Sequence, residues 1–291
     1  MSSPAFDVIV CGSLHLDIMV YSSSLPRPDE TVAGTKWAQQ CGGKGGNQAV
    51  MAARSGAHVA MIGRVGADDF GTRLLKNLVD AEVDSRAVLV DETVGSGMSA
   101  AIVGDDGDYG AVIVSGANLR LEPRAVAGHW KAVGGARVLV LQNEIPEPAN
   151  LAAASAAHAD GAFVIMNAAP ARVMAKELLD RIDCLVVNRI EAEMLSGDPV
   201  RNPTDAASAV SKIGARIRNV IVTLGGEGLI LQSADGTTSA LSAKPVKVVS
   251  SHGAGDCFVG ALAAKVATGA SLSESAGFAN AAAAKHVAEQ R

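Results

Sequence analysis

A chain of 291 residues, 48% of them hydrophobic, has room for one large α/β domain or two ordinary ones, with a substantial core. Aromatic residues make up only 3% and glycines number 31, so the core should be aliphatic and the turns tight. The formal net charge of −5 argues against a nucleic-acid or anionic-membrane surface.

In chain order, "DVIVCG" (7–12), "HVAMIG" (58–63), "ARVLVLQ" (136–142), "AFVIMN" (162–167), "DCLVVN" (183–188) and "NVIVTLGG" (219–226) read as strands. Their apolar runs are continuous rather than alternating, as in a parallel sheet covered on both faces. Helical patterns fall between them at 45–55, 69–81, 149–159, 203–216 and 256–267. Such alternation predicts an α/β, doubly wound, mostly parallel sheet with helices on both faces. Residues 14–40 and 95–116 interrupt it. The first is polar and broken by prolines, and the second carries two strand-like runs joined by an Asp/Gly turn. Both fit a small separate β-sheet serving as a lid on a single domain, 1–291, with no internal repeat and no long linker.

Met1 to Asp7 lack the basic and apolar regions of a signal peptide, and no uncharged apolar run reaches the ~18 residues of a membrane span. Cys11, Cys41, Cys184 and Cys257 show no paired spacing. They suit small buried residues in a reducing compartment better than disulfides or a zinc site. The expectation is a soluble, cytoplasmic protein with no membrane or nucleic-acid partner.

Four stretches stand at the ends of predicted strands or the starts of helices, where open α/β sheets bind ligands. "CGGKGGNQAV" (41–50) is glycine-rich but is no P-loop, since no Ser or Thr follows Lys44; alone it suits a turn as well as a site. In "NRIEAE" (188–193), Asn188 and Glu191 fall one helical turn apart, a pairing that suits hydrated Mg²⁺. An N-cap with a first-turn acid is the commoner meaning of that pair. "TLGGEG" (223–228) offers Thr223 and exposed amides to a phosphate, with a plain β-turn as the alternative. In "SSHGAGDCFVGAL", Asp256 follows Gly253, Ala254 and Gly255 at the start of an apolar helix. It reads either as a helix cap or as a base beside an amide anion pocket.

Taken in order, these stretches resemble the ribokinase-like (PfkB) carbohydrate kinases, closest in pattern to ribokinase. "GGKGGNQAVMAARSGAHVAMIGRVGADDFG" (42–71) looks like the family's N-terminal signature and residues 250–262 like its C-terminal one, with "LQNEIP" (141–146) and "NAAPAR" (167–172) between. The resemblance implies an ATP- and Mg²⁺-dependent kinase acting on a primary hydroxyl of a small sugar. It casts Asp256 as the proton acceptor and the 253–256 amides as the anion pocket. Asn188 and Glu191 fall to Mg²⁺ and its waters, and Asn188, Thr223, Gly225, Gly226, Gly228 and Asn280 to the nucleotide. His15, Asp17, Gly43, Lys44, Asn47 and Glu144 fall to the sugar. It also implies a homodimer joined through the lid.

The chain departs from that pattern in places. His15 stands where ribokinases usually carry Asn, which bears on whether ribose, another pentose or a ketohexose is the substrate. His252 replaces a small residue and reads as a turn residue. Tyr21 and Trp37 read as lid core, and as the only aromatic platform for a nucleoside, the alternative substrate. A silent sugar- or nucleotide-binding regulator is disfavoured by the intact Gly-Ala-Gly-Asp and by the Asn188/Glu191 pair. The family's monovalent-cation ligands include an Asp at the position of Ser250, and little chain follows the final helix. K⁺ activation is therefore expected to be weak or absent.

Overall fold

The computed structural model describes residues 4–105 and 108–289. Its main sheet has nine strands: β1 (Phe6–Cys11), β4 (Val59–Gly66), β5 (Val83–Asp91), β8 (Ala136–Gln142), β9 (Phe163–Asn167), β10 (Cys184–Asn188), β11 (Asn219–Thr223), β12 (Leu229–Gln232) and β13 (Thr238–Leu241). They lie in the order β13-β12-β11-β10-β9-β8-β1-β4-β5. Every neighbouring pair is parallel except β11–β12 and β12–β13. All six predicted central strands are present. β5 is an edge strand whose exposure varies along its length, so it lacks the continuous apolar run that marks the inner strands. The β12–β13 hairpin has strands of only four residues, too short for a periodic signal.

Two aliphatic layers sandwich the sheet. One face carries α1 (Lys44–Arg54), α2 (Asp69–Asp80), α8 (Ala254–Ala267) and α9 (Leu272–Glu289). The other carries α3 (Pro123–Val133), α4 (Glu147–Ala159), α5 (Lys176–Leu179), α6 (Arg189–Ser196) and α7 (Pro203–Gly214). α8 is apolar nearly all round and fully buried along its centre, as a helix lying between a sheet and other helices must be.

The two interruptions form a second sheet, β3 (Gly34–Gly42)-β2 (His15–Ser22)-β6 (Gly97–Gly104)-β7 (Tyr109–Val114). β2 leaves directly from the end of β1, and the chain returns through β3 into α1. The main sheet grows outward from β1 to β4 and β5, then resumes at β8 on the other side of β1. That reversal, between β1 and β8, is where open α/β sheets leave a crevice at their C-terminal ends.

Candidate active site

A cavity of about 350 Å³ opens at this reversal, between the starts of α1 and α8 and one face of the small sheet. Eight sequence-predicted residues line it: His15, Asp17, Gly43, Lys44, Asn47, Glu144, Gly253 and Asp256. Alternation along the strands explains the sheet's contribution. Asp17 pairs with Ser99 and Gln40, Met19 with Ala101, and Ser99 with Ile113, so these side chains share one face.

Glu144, just beyond β8, sits at the head of α1. Its Oε2 accepts the Lys44 backbone N–H at 2.9 Å and the Ser13 hydroxyl at 2.5 Å. The unpaired amides and dipole of a helix start favour a carboxylate there. Gly43 makes this docking possible. Its φ is +82°, and a Cβ on it would stand 2.7 Å from the His15 backbone nitrogen. Asp17 is turned by the Ser99 hydroxyl, 2.5 Å from Oδ1, and its Oδ2 packs over Gly42, where a Cβ would stand 2.0 Å away.

His15 is buried. Asn118, which sequence reasoning missed, accepts the Leu14 N–H through Oδ1, and its Nδ2 donates to the carbonyls of Leu14 and Ser115. With that amide orientation fixed, Nδ2 also faces the His15 Nε2 at 3.3 Å. The ring's Nδ1 lies 3.8 Å from Glu144 Oε2.

Asp256 does not cap α8: its helix has no side-chain cap, and Gly253, with φ +71°, opens it. The carboxylate instead accepts Asn47 Nδ2 at 3.0 Å and Gln48 Nε2 at 2.9 Å. Burial pushes its carboxyl above the usual aspartate range, opposed by the charge of Lys44 and by both amide donors. Of the helix-start amides, that of Ala254 bonds to Ser251 O, while those of Gly255 and Asp256 have no backbone partner among the described residues. A side chain at Gly255 would meet open space. Of the 253–256 amides that the resemblance assigns to an anion, the Ala254 amide is thus already engaged.

Asn188 and Glu191 form a capping box: Asn188 Oδ1 accepts the Glu191 N–H, and Glu191 Oε2 accepts the Asn188 N–H. The commoner meaning of the pair is thus present, and it leaves Glu191 Oε1 outside the box. Burial raises the Glu191 carboxyl, with Lys44 opposing and Asp256 reinforcing that shift, so these three charges act on one another. Among the described residues no three His, Cys, Asp or Glu side chains cluster as a metal cage. Asn188 and Thr223 are register partners at the ends of β10 and β11. Gly225, Gly226 and Gly228 form the turn into β12, with open space beside the first two. Asn280 on α9 donates to Ser242 O at 2.9 Å.

Ser13, Ser99, Gln48 and Tyr109 also belong to the site's surroundings. Gln48, next to Asn47 in the glycine stretch, was open to detection by sequence; nothing marked Asn118 or the serines. Trp37 is not lid core, whereas Tyr21 is half-buried. Trp37 is 68% exposed, and Tyr21 lies under the Lys36 ammonium, 4.4 Å from the ring centroid. The aromatic side chain that reaches the cavity is Tyr109. His252 is exposed and lines the cavity, and its carbonyl accepts His286 Nε2–H at 3.1 Å. Cys41 is half-buried, unlike the other three cysteines.

The pfkB family carbohydrate kinase model matches residues 5–290. The chain belongs to the pfkB family of carbohydrate kinases. It is 36% identical to the ribokinase of Lactococcus lactis, covering 92% of this chain and 86% of that protein. The Mus musculus ribokinase is 35% identical, over 88% and 80% respectively. The structure of the Arabidopsis thaliana ribokinase complexed with ribose and ATP superposes with a TM-score of 0.89 at 30% identity, covering 99% of this chain and 93% of that one. This chain is accordingly an ATP-dependent carbohydrate kinase, and the mostly parallel sheet with its small second sheet is the fold of its relatives.

Proposed function

We propose that the cavity binds a small sugar, ribose first among pentoses and ketohexoses, and that Asp256 accepts the proton of its primary hydroxyl. The hydroxyl oxygen bonds to the γ-phosphorus of ATP as the bond to the bridging oxygen breaks and ADP leaves. The observation that carries this reading is a buried carboxylate at the head of an uncapped helix, facing a cavity whose walls hold Asp17 and Glu144. Phosphoryl transfer needs chiefly alignment and charge stabilisation, which the Gly255 and Asp256 amides supply at the helix start. The test is ADP release from MgATP across a panel of sugars and nucleosides. Turnover stimulated by a pentose or ketohexose supports the reading, whereas stimulation by nucleosides alone contradicts it. Tyr109 gives the nucleoside alternative a phenol face at the cavity.

Mg²⁺ fits beside Glu191, whose Oε1 is left over from the capping box and whose field already reaches Lys44 and Asp256. When bound, the ion neutralises phosphate charge. Few protein oxygens suffice, because Mg²⁺ keeps most of its waters. The nucleotide lies along 188–191 and the 223–228 turn, with Asn280 toward the base. Glu191→Gln keeps the capping geometry, which Gln also satisfies. It is expected to raise the Mg²⁺ concentration needed for half-maximal rate and to leave the sugar KM nearly unchanged. A Mg²⁺ titration coinciding with the parent's removes Glu191 from the ion.

His15 reads the sugar through its Nδ1, which lies beside the Glu144 carboxylate. A buried polar group matched to one hydroxyl pattern rejects sugars that leave it unpaired. His15→Asn is therefore expected to raise kcat/KM for ribose relative to the sugar the parent prefers. An unchanged ratio takes His15 out of recognition.

K⁺ activation is weak in this reading. Ser250 offers a hydroxyl where a carboxylate would attract a cation, and that hydroxyl accepts the His252 N–H. The His252 carbonyl already faces an imidazole N–H. Initial rates in KCl and in a bulky-cation chloride at equal ionic strength should agree; a several-fold K⁺ stimulation contradicts this.

The small sheet serves as the lid of a single domain and as the dimer contact. Trp37, Val112 and Val114 support this, exposed on the face opposite the cavity. Sedimentation of the parent and of Trp37→Asp tests it, with dissociation of the variant expected and equal sedimentation as the contrary result. No helix among the described residues is long and apolar enough to cross a membrane, which suits the cytoplasmic placement expected from the sequence.

A further inference from the structure

Behind Asp256, on the side away from the cavity, three amide side chains are wholly buried: Gln48 on α1, Gln142 at the end of β8, and Asn150 on α4. Gln48 Nε2 donates to Asp256 Oδ1 at 2.9 Å, and Gln142 Nε2 donates to Gln48 Oε1 at 2.8 Å. Asn150 Nδ2 holds the main-chain carbonyl of Gln142 at 2.7 Å. Aliphatic side chains would fill this space without the desolvation cost of buried amides. A connected polar series in a dry interior fixes orientation instead.

A glutamine amide has two faces, and the wrong one would set an oxygen against the Asp256 carboxylate. Gln142 blocks that rotation, because its N–H₂ needs the Gln48 oxygen where it stands. Gly12 makes room for Gln142: a Cβ there would stand 1.9 Å from its Oε1, an oxygen with no hydrogen-bond partner among the described residues. Gly260, one turn after Asp256, completes the fit. A Cβ there would come within 2.6 Å of the Gln48 carbonyl, so its absence lets α8 press Asp256 onto α1.

We propose that Gln48, its amide turned by Gln142, is the positioning residue that fixes the Asp256 carboxylate in the orientation from which it meets the substrate hydroxyl. This rests on Asp256 as proton acceptor. Asn47, the other donor, lines the cavity and meets the substrate side; Gln48 is fully buried. The ionised carboxylate accepts from both, and the donors oppose the effect of burial. The charged and titratable groups around Asp256 are Lys44 on α1, Glu144 after β8, Glu191 on α6, Cys257 on α8, and His15 and His252 at the cavity. None of them occupies the place of the Gln48 amide.

The experiment compares the full-length parent with Gln48→Met, Gln142→Met and Asp256→Asn, measuring kcat, both KM values and Tm across pH. Gln48→Met matches the length of Gln without its hydrogen bonds. Its kcat near neutral pH is expected to fall about 10- to 100-fold, as for loss of a hydrogen bond to a charged group. Both KM values should stay close to the parent's. The acid limb of its kcat profile should move to higher pH, because the carboxylate loses a donor to its charged form. Gln142→Met should move the limb the same way with a smaller loss, and it keeps the test open if Gln48→Met does not fold. An unmoved limb, with kcat falling only as Tm and folded fraction fall, makes the amides packing and overturns the proposal. Asp256→Asn separates the two claims. A variant with more than about a tenth of parental activity, against the losses typical of a removed base, refutes the base itself. An inactive Asp256→Asn beside an unmoved Gln48→Met limb refutes only the positioning.

Discussion

Asp256→Asn is expected to lower turnover by about 10²–10⁴-fold, the range typical for loss of a positioned proton acceptor, while ATP binding stays nearly intact. The carboxylate takes two donated hydrogen bonds at once, from Asn47 and Gln48. An asparagine can accept only one of them, and its own N–H₂ then meets the other donor head-on. Its neutral amide oxygen also lacks the basicity needed to remove the hydroxyl proton. In the parent, the base works only while ionised, so the rate falls as pH drops through the Asp256 pKa. Burial places that fall above the range of an ordinary aspartate. Rates by ADP release and nucleotide affinity by calorimetry check both halves. A variant keeping most of its rate reduces Asp256 to a buried helix-start residue.

Gly43→Ala is expected to destabilise the fold by about 2–3 kcal/mol, through left-handed backbone strain and a forced contact. It should also raise the sugar KM about tenfold or more, through loss of a charge-assisted contact. The two effects share one cause. Gly43 holds φ +82° as the residue before α1, with no room for a Cβ beside the backbone of Leu14 and His15. A methyl group there pushes the start of α1 away from β2. That movement takes the Lys44 amide off Glu144 and widens the gap between Glu144 and His15. Urea unfolding and the sugar KM measure the pair. A stable variant with raised KM alone means the helix start moves without strain, and a parental KM means that Glu144 does not depend on this docking.

The inner sheet showed itself in the sequence because parallel strands buried on both faces are unbroken apolar runs, as in β1, β8 and β10. Edge and hairpin strands such as β5, β12 and β13 carry mixed exposure or are too short, so their pattern is weak. α9 has seven Ala among its 18 residues and gives little amphipathic contrast. The site divided along a similar line. Residues in glycine-rich or acid-bearing stretches stood out, since those residue types have few reasons to cluster. Ser13, Ser99 and Asn118 did not, because their roles depend on neighbours far along the chain: Asn118 meets Leu14 and His15 across more than a hundred residues. The Asn188/Glu191 spacing was visible. Whether it meant a cap or an ion site depended on how many of the Glu191 oxygens the helix start consumed.

Asp256 aimed at a primary hydroxyl is tested most directly by the product itself. The most active sugar from the substrate panel is incubated with MgATP, and the phosphate is located by ³¹P and ¹³C NMR, beside the analogue lacking the terminal hydroxyl. The expected result is one phosphate on the terminal carbon per ADP formed, with the deoxy analogue inhibiting competitively and accepting none. Phosphate on a ring hydroxyl, or equal phosphorylation of the deoxy analogue, would contradict the placement of the sugar against Asp256.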